Sequence, residues 1–158
     1  MSLVKTVREK LAELPAFAER RDVGIQAEGS PWTVSVSLER HDEIGCLVWE
    51  LALRRPAPAK GDLGAWATAI ADRVTGLLES LKVIEIDPER QEAQVRSEHP
   101  SQREDRLFYY EVVLRSTTEA VVRRFMGGSH GHKREQVAFA LTHEALAKLV
   151  GDISAAAK

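Results

Sequence analysis

Trp32-Thr33-Val34-Ser35-Val36-Ser37-Leu38-Glu39 is the stretch that decides the fold class. Trp32, Val34, Val36 and Leu38 fall on one side of an extended chain, and Thr33, Ser35, Ser37 and Glu39 on the other. A period of two rich in β-branched and aromatic residues predicts a strand buried on one face. Glu28-Gly29-Ser30-Pro31 ahead of it is turn chemistry, and a shorter strand over 23–27 gives a weaker signal. His41 to Gly45 is polar, ends in glycine and reads as a hairpin loop. Beyond it, Leu47, Trp49, Leu51 and Leu53 alternate with Cys46, Val48, Glu50 and Ala52. That second strand is partly apolar on both faces, and Pro56-Ala57-Pro58 stops it.

Outward from this hairpin the period changes to that of helices. Leu3, Val7, Leu11 and Leu14 share one helical face behind Ser2, a capping residue, and Pro15 interrupts the run. Asp62 is placed to cap a helix over about 62–80, with Leu63, Trp66, Ile70, Val74 and Leu77 as its stripe. Period two then returns over 82–86 and 91–96, around the turn Asp87-Pro88-Glu89-Arg90, and again over 107–115, 120–126 and 136–141. Thr142 caps a last helix bearing Leu146, Leu149, Val150 and Ile153. The order is α-β-β-α-β-β-β-β-β-α. Short loops between strands mean antiparallel pairing. The expected fold is therefore α+β, an antiparallel sheet with helices packed on one face, as a single domain over 1–158. Trp32, Trp49 and Trp66 occupy apolar positions and are expected in the core.

Composition narrows the function classes. The chain has 158 residues, 44% hydrophobic and 29% charged, which suits a globular domain with one core. A formal net charge of −2 disfavours nucleic acid as a partner, because phosphate neutralisation supplies most of that affinity. The lone Cys46 has no partner for an intramolecular disulfide. The N-terminal residues open an amphipathic pattern without an apolar signal core, and no stretch approaches the roughly 20 apolar residues of a membrane span. A cytoplasmic protein with no membrane contact is expected.

The stretch richest in chemistry is Gly127-Gly128-Ser129-His130-Gly131-His132-Lys133-Arg134-Glu135. In an extended segment His130 and His132 point the same way and can ligate one metal ion, with Glu135 or a distant carboxylate completing the site. The bland alternative is a solvated hairpin loop. The same glycines with Arg123, Arg124, Lys133 and Arg134 suggest an anion site, although the Walker pattern is absent. Around the later strands Arg103, Arg106 and Arg115 have acidic neighbours that can neutralise them. Tyr109 and Tyr110 fall on opposite faces, leaving at most one stacking platform for a base. Cys46 reads as a small buried apolar group, with His41, Asp42 and Glu43 just before it, and His143 as an exposed residue in the first turn of the last helix. No catalytic constellation is visible, so an enzyme is not indicated, and neither is any cofactor.

The helix over Leu3 to Leu14, the strands Trp32 to Leu38 and Leu47 to Leu53, the helix Leu63 to Leu77 and the last helix Leu146 to Ile153 follow one another in an order that resembles the type III secretion chaperone-like fold and the YbjN-like proteins that share it. The resemblance implies a compact α+β domain that dimerises and binds other proteins rather than catalysing. The expected function is accordingly a protein-binding or chaperone-like module, a homodimer with a protein partner. The alternatives are a metal-binding protein or metal-dependent enzyme using the His130/His132 loop, and anion or nucleic-acid binding through Arg123, Arg124, Lys133 and Arg134.

Overall fold

In the computed structural model, which describes residues 2–58, 61–128 and 133–157, three helices and ten strands follow the expected α+β order. They are α1 (Leu3–Glu13), β1 (Arg21–Gln26), β2 (Thr33–His41), β3 (Gly45–Arg54), α2 (Leu63–Arg73), β4 (Leu81–Asp87), β5 (Glu92–Ser97), β6 (Ser101–Arg103), β7 (Arg106–Arg115), β8 (Glu119–Gly128), β9 (Glu135–Val137), β10 (Phe139–Thr142) and α3 (His143–Ala156). The weakly signalled first strand forms, and the segment expected as one strand over 136–141 is divided into β9 and β10. All pairings are antiparallel, in the order β1-β2-β3-β8-β7-β5-β4. β10 pairs with β3, β6 with β7 and β9 with β8.

Each helix begins where the sequence places a cap. The Ser2, Asp62 and Thr142 side chains accept from the backbone N–H of Lys5, Ala65 and Ala145 at 3.1, 2.6 and 3.0 Å. Such caps satisfy N–H groups that a helix leaves free at its start. The apolar stripes then pack: Leu3, Val7 and Leu11 of α1, Trp66 and Ile70 of α2, and Leu146, Val150 and Ile153 of α3 share one cluster with Val34, Val36, Leu51, Leu53, Val95, Val112 and Val122 of the sheet. The Trp66 indole N–H donates to the Ile153 carbonyl at 3.0 Å, satisfying its polar atom inside the core. Among the described residues, no helix is long and apolar enough to cross a membrane.

Two expectations change here. The second helix ends at Arg73, not near 80; its last hydrogen bond runs from Val74 N–H to the Ile70 carbonyl. Thr75 and Gly76 are weak helix formers, and the freed segment carries Glu79 into a buried ion pair with Arg124. Trp49 also leaves the core face. Ser37 pairs with Glu50 but Leu38 pairs with Val48, so Trp49 is the extra residue of a bulge. The bulge reverses the alternation along β3, placing Cys46 and Val48 with Leu51 and Leu53 against the helices. Trp49 is left partly exposed, with the Arg20 guanidinium 4.2 Å from its ring centre. Trp32 and Trp66 are buried as expected.

Candidate metal centre

The β2–β3 hairpin is tighter than its sequence suggests. His41 still belongs to β2 and pairs directly with Cys46 of β3. Asp42 closes the turn: one carboxylate oxygen accepts from the N–H groups of Ile44 and Gly45 at 2.8 and 3.0 Å. Those two bonds, Gly45's first, hold its carboxyl below the usual value, helped by the nearby His41 and His143 and opposed by burial. On the other side of β3, Cys46 pairs with Leu141 and Gly45 with Thr142. His143, the first residue of α3, follows Thr142 directly, and its N–H donates to the Ile44 carbonyl at 3.2 Å. Three strands thus bring together residues that lie about a hundred positions apart in the chain.

The side chains converge with the backbone. His41, Cys46 and His143 each offer a ligand atom, all within 4.8 Å of one another. The imidazoles of His41 and His143 stack at 4.9 Å between centres with planes 7° apart, and Phe17 covers the far side of His41 at 5.5 Å. All three residues are buried, at 4%, 6% and 7% exposure, which corrects the expectation of an exposed His143. His41 Nδ1 lies 3.1 Å from the Pro15 carbonyl oxygen. A carbonyl only accepts, so Nδ1 carries the proton and a neutral His41 has a bare lone pair at Nε2. Nε2 of His41 and Nε2 of His143 are both buried without a hydrogen-bond partner among the described residues. Leaving such an atom unsatisfied costs about 1–3 kcal/mol.

The donor set decides which chemistry fits. Two imidazoles and a thiol suit zinc, copper, cobalt or nickel, whereas magnesium and calcium require oxygen ligands. A histidine whose Nδ1–H is tied to a backbone carbonyl while Nε2 points inward is the usual arrangement of a metal ligand. Burial, and secondarily the charge of Asp42, pushes the Cys46 thiol up to about 12. The thiol is therefore protonated at neutral pH and is no nucleophile by itself. A bound d-block cation would displace that proton.

The other candidates separate. His130 and His132 lie outside the described residues. The four cations grouped as an anion site do not form one patch. Arg124 faces the helices and makes a two-pronged pair with Glu79 at 2.9 and 3.0 Å, while Ser97 and Ser101 donate to the same carboxylate. Arg123 faces the other way and pairs with Glu50 at 2.6 Å. Arg134 pairs with Glu111 at 2.7 Å, and Lys133 is exposed. Tyr110 is buried, and Tyr109 lies on the opposite face beside Arg96. Neither His41 nor His143 stood out in the sequence as a ligand. The available signal was the hairpin itself, because a loop ending in Gly45 allows His41 and Cys46 to face each other across it.

Compared with known proteins, the chain matches no family model, no curated protein and no solved structure.

Proposed function

We propose that this protein binds one cation of the zinc class through His41 Nε2, Cys46 Sγ and His143 Nε2. The observation that carries the reading is a pair of buried imidazole nitrogens with no hydrogen-bond partner among the described residues, on two histidines that each offer a ligand atom within 4.8 Å of the Cys46 thiol. Three protein ligands with one position left over is the pattern of a reactive rather than a purely structural zinc site. Tetrahedral zinc places such ligand atoms about 3.3–3.6 Å apart, so the cluster contracts by up to about 1.5 Å on loading. The test is metal content and zinc titration of protein carrying no histidine tag. One equivalent is expected for the wild type and for His130→Ala/His132→Ala, and less than a tenth of an equivalent for Cys46→Ala or His143→Ala. A wild type that takes up no zinc sinks the reading. Loss of zinc only in the His130/His132 variant moves the site to that loop.

A second reading, the protein-binding or chaperone-like module, has its own support. β4 is an outer strand of the sheet; its Ile84 and Ile86 are exposed at 51% and 41%, and Leu78, three residues ahead of it, at 74%. An open edge with apolar side chains can accept a partner strand. Light scattering over a hundredfold concentration range, with Ile84→Lys as control, tests whether two copies meet there. A wild type that remains monomeric throughout excludes that homodimer.

A further inference from the structure

β4 is the last strand on its side of the sheet. β5 pairs with its inner edge, and among the described residues no strand pairs with its outer edge. We infer that this edge receives β4 of a second copy of the chain, antiparallel, about a two-fold axis at Val83–Ile84. The inference rests on the open-edge reading above and adds to it the partner and the register.

The pairing with β5 fixes which way each side chain faces. Leu81, Val83 and Ile86 stand opposite Ser97, Val95 and Ala93, which are buried on the helix side of the sheet. Lys82 and Glu85 stand opposite Arg96 and Gln94, on the other face. The register shifts at Ile84, and this bulge is what makes Lys82 and Glu85 neighbours on one face. Both side chains are exposed, and neither has an ion-pair partner among the described residues. Lys82 lies opposite a like charge, and that Arg96 is already held by Glu111 at 3.0 Å. Within the chain this cation and this carboxylate go uncompensated.

A second copy supplies what each lacks. With the bulge counted as one step, antiparallel pairing about Val83–Ile84 sets Lys82 opposite Glu85 of the second copy, and Glu85 opposite its Lys82. Unlike charges directly opposed stabilise a strand pair. The same register sets Leu81 opposite Ile86 of the second copy, covering a side chain that is 41% exposed in the single chain. At the axis the exposed Ile84 of one copy meets that of the other. A lysine and a bulge on an edge strand ordinarily discourage pairing; here the lysine is matched and the bulged residue is apolar. A two-fold interface must be self-complementary, and a cation and a carboxylate at equal steps on either side of the axis meet that requirement.

The experiment is sedimentation equilibrium of the full chain at low salt, with Tm read for every variant. Lys82→Glu and Glu85→Lys break no ion pair within the chain, so both are expected to fold with the wild-type Tm. Each alone sets like charges together at two symmetric places and is expected to weaken the dimer about tenfold. An equimolar mixture of the two single variants is expected to associate about as tightly as the wild type, because every position across the axis then carries opposite charges. The double variant Lys82→Glu/Glu85→Lys is expected to do the same on its own. A dimer abolished by Ile84→Lys but indifferent to the charge changes overturns the register and leaves the open-edge reading standing. A dimer indifferent to Ile84→Lys as well lies elsewhere on the molecule and removes both. A wild type that is monomeric at every concentration overturns the inference and leaves the edge only to a strand from a different protein.

Discussion

Gly45→Ala tests how the strand packing holds the cluster. Gly45 pairs with Thr142 between β3 and β10, and a Cβ there would sit 2.7 Å from the Leu141 carbonyl oxygen and 3.4 Å from Thr142 Cα. Both are backbone atoms, so no side-chain rotation relieves the contact. Close carbon–oxygen contacts between strands normally begin at about 3.3 Å, and β10 must move away from β3 by roughly the difference. Overpacking of this kind costs about 1–3 kcal/mol. In a chain of this length each kcal/mol lowers Tm by about 2–4 °C, so the expected loss is about 2–12 °C. The same movement carries His143 away from Cys46, in a cluster that must contract to hold a cation. Zinc affinity is expected to fall at least tenfold, equivalent to about 1.4 kcal/mol. Thermal unfolding without metal and zinc titration against a competing chelator measure the two effects separately. An alanine variant with wild-type Tm and a zinc affinity within twofold of wild type would refute the argument that this contact sets the spacing of the ligands.

Two further predictions concern the frame. Burial pushes the Glu79 carboxyl up, but hydrogen bonds from Arg124, Ser101 and Ser97 and the charge of Arg124 outweigh it and hold the group below its usual 4.5. Its contribution to stability is therefore complete above that value and lost as pH falls through the depressed folded-state value. Urea unfolding of Glu79→Gln is expected to show about 3–5 kcal/mol less stability at pH 7 and a flatter dependence below pH 4.5; an unchanged acid slope contradicts this account. Gly151 lets α3 approach α1, since a Cβ there would meet Val4 Cγ2 at 2.5 Å. Gly151→Ala should lose about 1–3 kcal/mol to overpacking, more than the roughly 1 kcal/mol gained in helix propensity, and Val4→Ala in the same chain should restore part of it. A more stable Gly151→Ala single variant would show that the helices separate at no cost.

The elements of the fold were legible because their signals are local. Alternation over Trp32 to Glu39 and Leu107 to Arg115, helical stripes from Leu3 and Leu146, and caps at Ser2, Asp62 and Thr142 each lie within one or two turns of chain. They determine where most strands and helices start and, through short loops, that the strands pair antiparallel. What exceeds that range was decided by tertiary structure. The bulge at Trp49 depends on the register of β2 against β3, and it sends one tryptophan outward while the other two stay in the core. The choice of Glu79 as partner for Arg124 joins positions 45 residues apart and draws the end of α2 out of helix. The candidate centre needs β2, β3 and β10 side by side before His41, Cys46 and His143 meet. A sequence displays only neighbours along the chain, so the adjacent pair His130 and His132 stood out. The three residues that share a buried site became neighbours only through strand pairing.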